Sequence, residues 1–235
     1  MNKRRIFLDA GHGGNDPGAA GNGMQEKEIN LDVVLRLGKL LSADFEVNYS
    51  RTADQIISNR ASFANAWKSD LLLSIHVNSF HQESANGTEI FIFDNGSERS
   101  RQSRAFASGI QDAFIKRIGT RDRGVKLDVQ SQHSTGLGIL RNSVMPAALF
   151  ELAFITASSQ HLDVNALRNK RNEMAAAIAE GIYNYFGIKQ SNPNSKYQSI
   201  IQARCQFNDP AGVWEVLDKH RFAAALYKKW ADSYN

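Results

Sequence analysis

The sequence has little of what several protein classes require. Its single cysteine, Cys205, allows no internal disulfide and no cysteine-rich zinc site, so a metal ion would have to bind histidine, aspartate or glutamate. No apolar run approaches the roughly 20 residues of a transmembrane helix. The absence of a Gly-x-Ser-x-Gly motif disfavours a serine hydrolase. With 42% apolar and 22% charged residues, the 235-residue chain is instead typical of a folded globular protein.

The N-terminal segment does not have the composition of a secretion signal. Its first residues are basic, but the apolar stretch at residues 6–10 is shorter than the roughly 7–15 residues that a signal needs. That stretch also leads directly into Gly11-His12-Gly13-Gly14, which is typical of a folded domain. We therefore predict that this chain carries no signal peptide; a mature form, from which a signal has been removed, is the alternative.

The excess of positive charge is small. The formal net charge is +4, and the basic residues are spread along the chain, with Arg99, Arg101 and Arg104 as their nearest approach to a cluster. A solvated surface explains this pattern, and attraction to an anionic partner is the alternative. Because no nucleic-acid-binding motif is present, we expect no nucleic-acid partner.

Strand and helix patterns alternate along the first part of the chain. Short apolar or β-branched runs predict strands at residues 6–9, 46–49, 71–75, 88–93, 139–140 and 147–152. Apolar residues at helical spacing predict helices near residues 28–42, 55–67, 105–118 and 166–186. This alternation predicts an α/β domain with a largely parallel sheet and helices on both faces.

The composition changes after this region. Residues 188–196 are rich in polar and turn-forming residues and are predicted to be a linker. Residues 197–235 show short helical patterns, which predict a small helical C-terminal appendage. The main domain is therefore expected to span residues 1–187.

Polar residues follow several of the predicted strands. His12 comes directly after the first strand, His76 ends the third, and Glu151 lies near the end of the last. Ligands of such sheets bind beyond the carboxyl ends of the strands, so these side chains are expected to meet. Glu26 and Glu28 open the first long helix, where the helix dipole alone would also favour acidic residues.

Each of these residues has an ordinary structural explanation when taken alone. The histidines could be satisfied loop or core residues, and Glu151 could belong to a buried salt bridge. Taken together, two histidines and a glutamate form the usual ligand set of catalytic zinc sites that keep an open fourth position. A separate carboxylate, with a pKa raised by burial, would suit proton transfer.

Several sequence blocks resemble one enzyme family. Leu-Asp-Ala-Gly-His12-Gly-Gly, Glu26-Lys-Glu-Ile-Asn-Leu, Ser-Ile-His76-Val-Asn and Glu151-Leu-Ala-Phe-Ile occur in the order found in zinc-dependent N-acetylmuramoyl-L-alanine amidases of the amidase-3 type. The resemblance covers about residues 4–187 and includes supporting motifs around Arg51, Asp54 and Arg60.

The resemblance implies a fold, a cofactor and a reaction. The fold would be a mixed, mostly parallel sheet flanked by helices. Zinc would bind His12, Glu26 and His76, and Glu151 would be the catalytic carboxylate. The substrate would be peptidoglycan, cut between N-acetylmuramic acid and L-alanine. Glu26 is preferred to Glu28 as the ligand because, like the family's ligand, it precedes the lysine.

Other assignments remain open at this point. His133 and Asn78 are candidate substrate-binding residues, although an exposed loop position would also explain His133. The alternatives to the amidase are a zinc hydrolase of another class, such as a peptidase or deacetylase, and an inactive wall-binding module. Without a signal peptide, the chain could be a phage endolysin that is made in the cytoplasm and released by lysis.

Overall fold

The computed structural model describes residues 3–55, 57–132 and 135–191. All the elements named below belong to the first of the two units into which the chain divides, residues 1–189. The helical region expected at residues 197–235, and the part of the expected linker beyond residue 191, lie outside the described residues and stay predictions.

Six strands form the main sheet. In chain order they are β1 (Arg5–Ala10), β4 (Glu46–Tyr49), β5 (Leu71–Asn78), β6 (Thr88–Ile92), β7 (Asp122–Leu127) and β8 (Ala147–Phe154). A small separate hairpin consists of β2 (Ala20–Gly21) and β3 (Met24–Gln25). The order across the sheet is β4-β1-β5-β8-β6-β7. The first four strands in this order are parallel, whereas β6 runs antiparallel to β8 and parallel to β7. The predicted mixed, mostly parallel sheet is confirmed.

The described residues also contain six α-helices, the last two of which follow the final strand. They are α1 (Glu26–Leu41), α2 (Arg60–Ala66), α3 (Glu98–Ile118), α4 (Gly138–Arg141), α5 (Leu162–Asn169) and α6 (Arg171–Phe186). Among the helices of the described residues, none combines the length and the apolar character needed to cross a membrane.

The two faces of the sheet are covered unequally, and this positions the polar residues. Side chains such as Leu73, Ile75 and Phe150 pack into a large core with the long helices α1, α3 and α6. Leu72 and Leu149 point the other way and form a smaller core with the short helices α2 and α4. Since side chains alternate along a strand, His76, Glu89 and Glu151 lie on this second, thinly covered face. Helices on both faces are therefore confirmed.

Two predicted elements differ from the structure. In the first case the reason is that a short apolar run does not distinguish strand from helix. Residues 139–140 lie in the single turn α4 rather than in a strand, and Leu140 packs into the smaller core. The helix expected from residue 55 begins only at Arg60, after Asn59 adopts a left-handed conformation with φ of 57°.

The remaining differences concern charged or interrupted segments. The helix predicted over residues 166–186 is two helices, α5 and α6, separated at Lys170, whose dihedrals are not helical. Strand β7 was not predicted, because this half-exposed edge strand carries charged residues and its apolar alternation is limited to Val125 and Leu127. Helix α3 begins before its first apolar residue because the Ser97 side chain accepts a hydrogen bond from the Ser100 N–H and caps it.

The arginines that approach a cluster in the sequence lie on α3 and have partners. Arg101 pairs with Glu98, and Arg104 pairs with Asp94. Arg99 donates to the carbonyl oxygens of Leu140 and Ser143. This arrangement is that of a solvated helix surface with local ion pairs, as the simpler interpretation of the sequence predicted.

Candidate active site

His12, Glu26 and His76 meet at one end of the sheet. His12 follows β1, Glu26 is the first residue of α1, and His76 lies near the end of β5. Glu26 Oε1 is 3.2 Å from His12 Nε2 and 3.0 Å from His76 Nδ1. One ligand atom from each of the three residues lies within 4.8 Å of the others. The structure therefore brings together three groups that are distant in sequence and could all face one ion.

The turn that presents His12 is held by the chain around it. His12 has a φ of 61°, a left-handed conformation that is uncommon for a residue with a side chain. Arg60 donates to the His12 carbonyl oxygen, and Arg51 donates to the carbonyl oxygens of Ala10 and Gly11. These two arginines explain why supporting motifs accompany the histidine block, since they satisfy the carbonyl groups that the tight turn exposes.

Asp16 orients the His12 ring and was not singled out from the sequence. Its Oδ2 lies 2.8 Å from His12 Nδ1. When the ring is neutral, a carboxylate at Nδ1 favours the tautomer with the proton there; Nε2, which faces Glu26, would then have a free lone pair for a cation in place of its hydrogen bond to Glu26. The signal available in the sequence was an acidic residue four positions after the histidine within the same glycine-rich loop.

The Glu26 carboxylate is buried, and protein groups supply its hydrogen bonds. Its two oxygens accept hydrogen bonds from the N–H groups of Ala19 and Val77. Burial acts to raise the pKa of Glu26, but hydrogen bonds from His12 and His76, together with their charge, hold that pKa far below its usual value. Glu26 is therefore a carboxylate at neutral pH, and its negative charge would favour a cation beside the two imidazoles.

The chain packs closely around the three residues, so that two neighbouring positions have no room for a side chain. A Cβ on Gly11 would lie 2.3 Å from the His76 ring. A Cβ on Gly18, which has a φ of 64°, would lie 2.6 Å from both Glu26 Oε2 and the His12 ring. Both glycines are thus required by close approach to the ligand side chains. With two imidazoles and one carboxylate as donors, the site is compatible with a metal ion.

Glu151 lies beside this group, on the neighbouring strand. The register pairs His76 of β5 with Glu151 of β8, and Glu151 in turn with Glu89 of β6. Glu151 Oε2 is buried and has no hydrogen-bond partner among the described residues. Burial, and then the charges of Glu26 and Glu89, raise the pKa of Glu151 well above its usual value. A carboxyl group with a raised pKa is suited to accept a proton and pass it on.

Of the two candidate substrate-binding residues, only Asn78 lies within the described part of the chain. Asn78, at the end of β5, donates from Nδ2 to Glu89 Oε1 at 2.6 Å and lines a cavity next to the site. His133 lies outside the described residues, so its role stays a prediction. Glu89 was missed, although it carries the same signal that identified Glu151, a carboxylate within a run of β-forming residues.

Known proteins share both the sequence and the fold. The chain matches the amidase-3 family, described as N-acetylmuramoyl-L-alanine amidase, over residues 6–184. It is 36% identical over 206 residues to the sporulation-specific N-acetylmuramoyl-L-alanine amidase of Bacillus subtilis (strain 168), covering 85% of this chain and 74% of that protein. It is 35% identical over 200 residues to the endolysin of Bacillus phage SPP1, covering 81% and 69% respectively.

A solved structure agrees with these relatives. The N-acetylmuramoyl-L-alanine amidase from Clostridium difficile 630 matches with a TM-score of 0.71 and 32% identity, over 80% of this chain and 100% of that one. The resemblance inferred from the sequence blocks is confirmed. The chain belongs to the amidase-3 family of N-acetylmuramoyl-L-alanine amidases.

Proposed function

We propose that this protein hydrolyses the amide bond between N-acetylmuramic acid and L-alanine in peptidoglycan, with zinc bound by His12, Glu26 and His76. The observation that carries the proposal is the convergence of these three side chains next to Glu151, in a chain of the amidase-3 family. The names of the relatives in Bacillus and Clostridium support the same substrate.

Zinc is the proposed ion because of the ligand chemistry. Two imidazole nitrogens and one carboxylate oxygen form a common set in catalytic zinc sites. When bound in such a site, zinc polarises the carbonyl of the scissile amide and makes water a stronger nucleophile. In our proposal Glu26 supplies the negative charge, and Asp16 keeps the proton of His12 on Nδ1 so that Nε2 is available as a ligand.

Glu151 is the proposed catalytic carboxylate. Its position one strand from His76 places the carboxyl group next to the proposed ligand set. Glu151 would take a proton from the attacking water and transfer it to the alanine nitrogen as the amide bond breaks. The raised pKa of Glu151 supports both steps, because the group holds a proton more readily than an ordinary glutamate.

The remaining assignments follow from the same proposal. Residues 1–187 form the catalytic domain, since the family match spans residues 6–184 and α6 ends at Phe186. Residues 188–196 stay a linker, and residues 197–235 a small helical region, only as predictions from the sequence, since residues beyond 191 lie outside the described part of the chain. The similarity to the phage SPP1 endolysin supports a role in cell-wall lysis. Asn78 and His133 are proposed to line the path of the substrate.

The proposal is tested by measuring the release of free amino groups from purified peptidoglycan. The reaction is run with zinc, with a chelator, and with the variants Glu151→Gln and Glu28→Gln; Glu28 is the exposed glutamate near the start of α1. We expect activity that requires zinc, persists in Glu28→Gln, is lost in Glu151→Gln and creates L-alanine as the new N-terminal residue. A different new terminus, or no cleavage by a zinc-loaded protein, would contradict the proposal.

A further inference from the structure

A second polar cluster lies beside Glu151, on the antiparallel side of the sheet. Glu89, with a side chain only 5% exposed, receives hydrogen bonds from both Arg123 and Lys126 of β7. The Arg123 Nε to Glu89 Oε2 distance is 2.7 Å. Two cations therefore surround one carboxylate, and the three side chains together carry one net positive charge.

The cluster opens onto a cavity of about 290 Å³. Glu89, Arg123 and Lys126 are the charged members of its lining, and the others include amides and hydroxyls such as Asn78 and Gln130. The side chains of Arg123 and Lys126 are 27% and 28% exposed, so they reach the cavity, whereas Glu89 lies beneath them. The cavity thus presents positive charge and hydrogen-bond donors to whatever enters it.

Neutralising Glu89 does not require both cations. A buried carboxylate is stabilised by one well-placed cation together with neutral donors. Arg123 already fills that role, since it also donates to the Asn86 carbonyl oxygen and stacks on the Phe154 ring with its Cζ 4.9 Å from the ring centroid. Asn78 Nδ2 provides the neutral donor. Lys126 also contacts Glu89, but among the described residues it has no other hydrogen-bond partner, so it is the cation of the pair that is less committed to the protein.

The position of the cluster indicates which part of a substrate would meet it. This step rests on the proposed function. If Glu151 transfers a proton to the alanine nitrogen, the peptide released by the reaction begins at Glu151. The sheet continues from β8 through β6 to β7, a distance of roughly 10 Å for two strand spacings. Each further residue of an extended peptide adds about 3.3–3.6 Å. The residue attached to the alanine, with the added length of its side chain, would therefore reach the cluster.

We propose that Lys126, together with Arg123, binds a free carboxylate on the stem peptide just beyond its L-alanine, and thereby favours stems whose second residue is an acid over stems in which that group is an amide. A carboxylate would form a charge-assisted hydrogen bond with the ammonium group, which a neutral carboxamide cannot match. Lys126 is a specificity-determining residue in this proposal, whereas Glu89 positions the basic pair.

The test compares two matched substrates with wild-type protein, Lys126→Gln, Lys126→Arg and Lys116→Gln. The substrates are muramoyl-L-alanyl-γ-D-glutamyl-L-lysine, with a free α-carboxylate on its second residue, and its D-isoglutaminyl counterpart; in both, the γ-carboxyl group forms the amide bond to lysine. We expect Lys126→Gln to lower kcat/KM about tenfold for the acid, mainly through KM, and to lower it far less for the amide substrate. Lys126→Arg should retain the preference. Lys116→Gln, an exposed lysine on α3 at the opposite face of the sheet, should behave as wild type. An equal effect of Lys126→Gln on both substrates, or no preference in the wild-type protein, would overturn the proposal.

A binding measurement separates this proposal from the proposed function. Calorimetric titration of the zinc-loaded protein with the tripeptides L-alanyl-γ-D-glutamyl-L-lysine and L-alanyl-D-isoglutaminyl-L-lysine requires no hydrolysis. Tighter binding of the acid that disappears in Lys126→Gln supports the carboxylate site even if the amidase assay fails. Equal affinities in wild-type protein and Lys126→Gln contradict it even if the amidase assay succeeds.

Discussion

Glu151 and Glu89 face each other on neighbouring strands, yet their surroundings are opposite. Glu151 Oε2 is buried without a hydrogen-bond partner among the described residues, and its pKa is raised. Burial acts in the same direction on Glu89, but hydrogen bonds from Lys126 and Arg123 outweigh it and lower the pKa of that carboxyl group. One glutamate is thus prepared to exchange a proton, while the other stays charged and holds two cations.

The difference between the two glutamates shows that strands β6 and β7 contribute side chains to the site as well as extending the sheet. Strands β1, β5 and β8 are parallel, and His12, His76 and Glu151 lie at or near their ends, while Glu26 opens α1. Strands β6 and β7 add a fixed carboxylate and a basic pair at the side of the same cleft. Two carboxyl groups with opposite pKa shifts within one site indicate separate roles for them.

The largest expected effect is on catalysis, when the proton-exchanging member of the pair is removed. Glu151→Gln should lower kcat by about a thousandfold, within the range typical of a general acid–base residue. Its zinc content should remain that of the wild-type protein, because Glu151 is not a proposed ligand. Amine-release kinetics and elemental analysis of the same preparation check both statements. Wild-type turnover in this variant would assign the proton transfer to another group.

A third carboxylate extends the comparison to the metal ligands. Asp16→Asn keeps the shape of the side chain but removes the charge that fixes the His12 ring. Zinc affinity should fall by about 10- to 100-fold, the usual cost of losing a group that orients a ligand. Competition with a fluorescent chelator measures the change. Asp94→Asn, which alters an exposed aspartate that follows β6 and pairs with Arg104, is the matched control and should bind zinc as the wild-type protein does.

The charged member of the pair should contribute to folding stability. Glu89→Gln should lower the free energy of unfolding by about 2 kcal/mol at neutral pH, because it leaves two partly buried cations without their carboxylate. The lowered pKa of Glu89 gives wild-type stability that is present above the usual glutamate pKa and is lost as the pH falls through the folded value. Urea unfolding of both proteins should therefore converge in acid, and a constant difference at all pH values would show that charge is not the cause.

The smallest expected effect is an increase in the free energy of unfolding, and it concerns Glu151 again. Because the pKa of Glu151 is raised by folding, its presence costs stability as the pH rises above the usual glutamate range. Metal-free Glu151→Gln should therefore be more stable than metal-free wild type at pH 7, by roughly 1 kcal/mol. Unfolding followed by circular dichroism in the presence of a chelator measures this difference. A loss of stability would mean that Glu151 has a partner that compensates its charge.

Sequence reasoning located the parallel part of the site because local patterns were sufficient there. His12 and His76 each follow a recognisable strand, and Glu26 opens a helix with clear periodicity. The ends of parallel strands meet at one edge, so the meeting of these residues could be predicted without coordinates. The sheet order and the short length of α4 could not, since both depend on long-range packing rather than on local pattern.

The antiparallel part escaped prediction for a physical reason. Strand β7 has only a short apolar alternation, at Val125 and Leu127, because one of its edges is free and its side chains are half exposed. The basic pair reaches Glu89 across a separation of 34 and 37 residues, through the register of two strands that carry no motif. Only the pairing of β6 with β7 brings these charges to the cleft.

The most direct test of the proposed metal centre compares two neighbouring glutamates on α1. Glu26 is buried between the two histidines, whereas Glu28 is exposed one position beyond Lys27. Zinc content and amide hydrolysis are measured for Glu26→Gln and Glu28→Gln, with circular dichroism to verify folding. We predict that folded Glu26→Gln loses both zinc and activity, while Glu28→Gln keeps both. Stoichiometric zinc and normal hydrolysis in Glu26→Gln would contradict the assignment of this site.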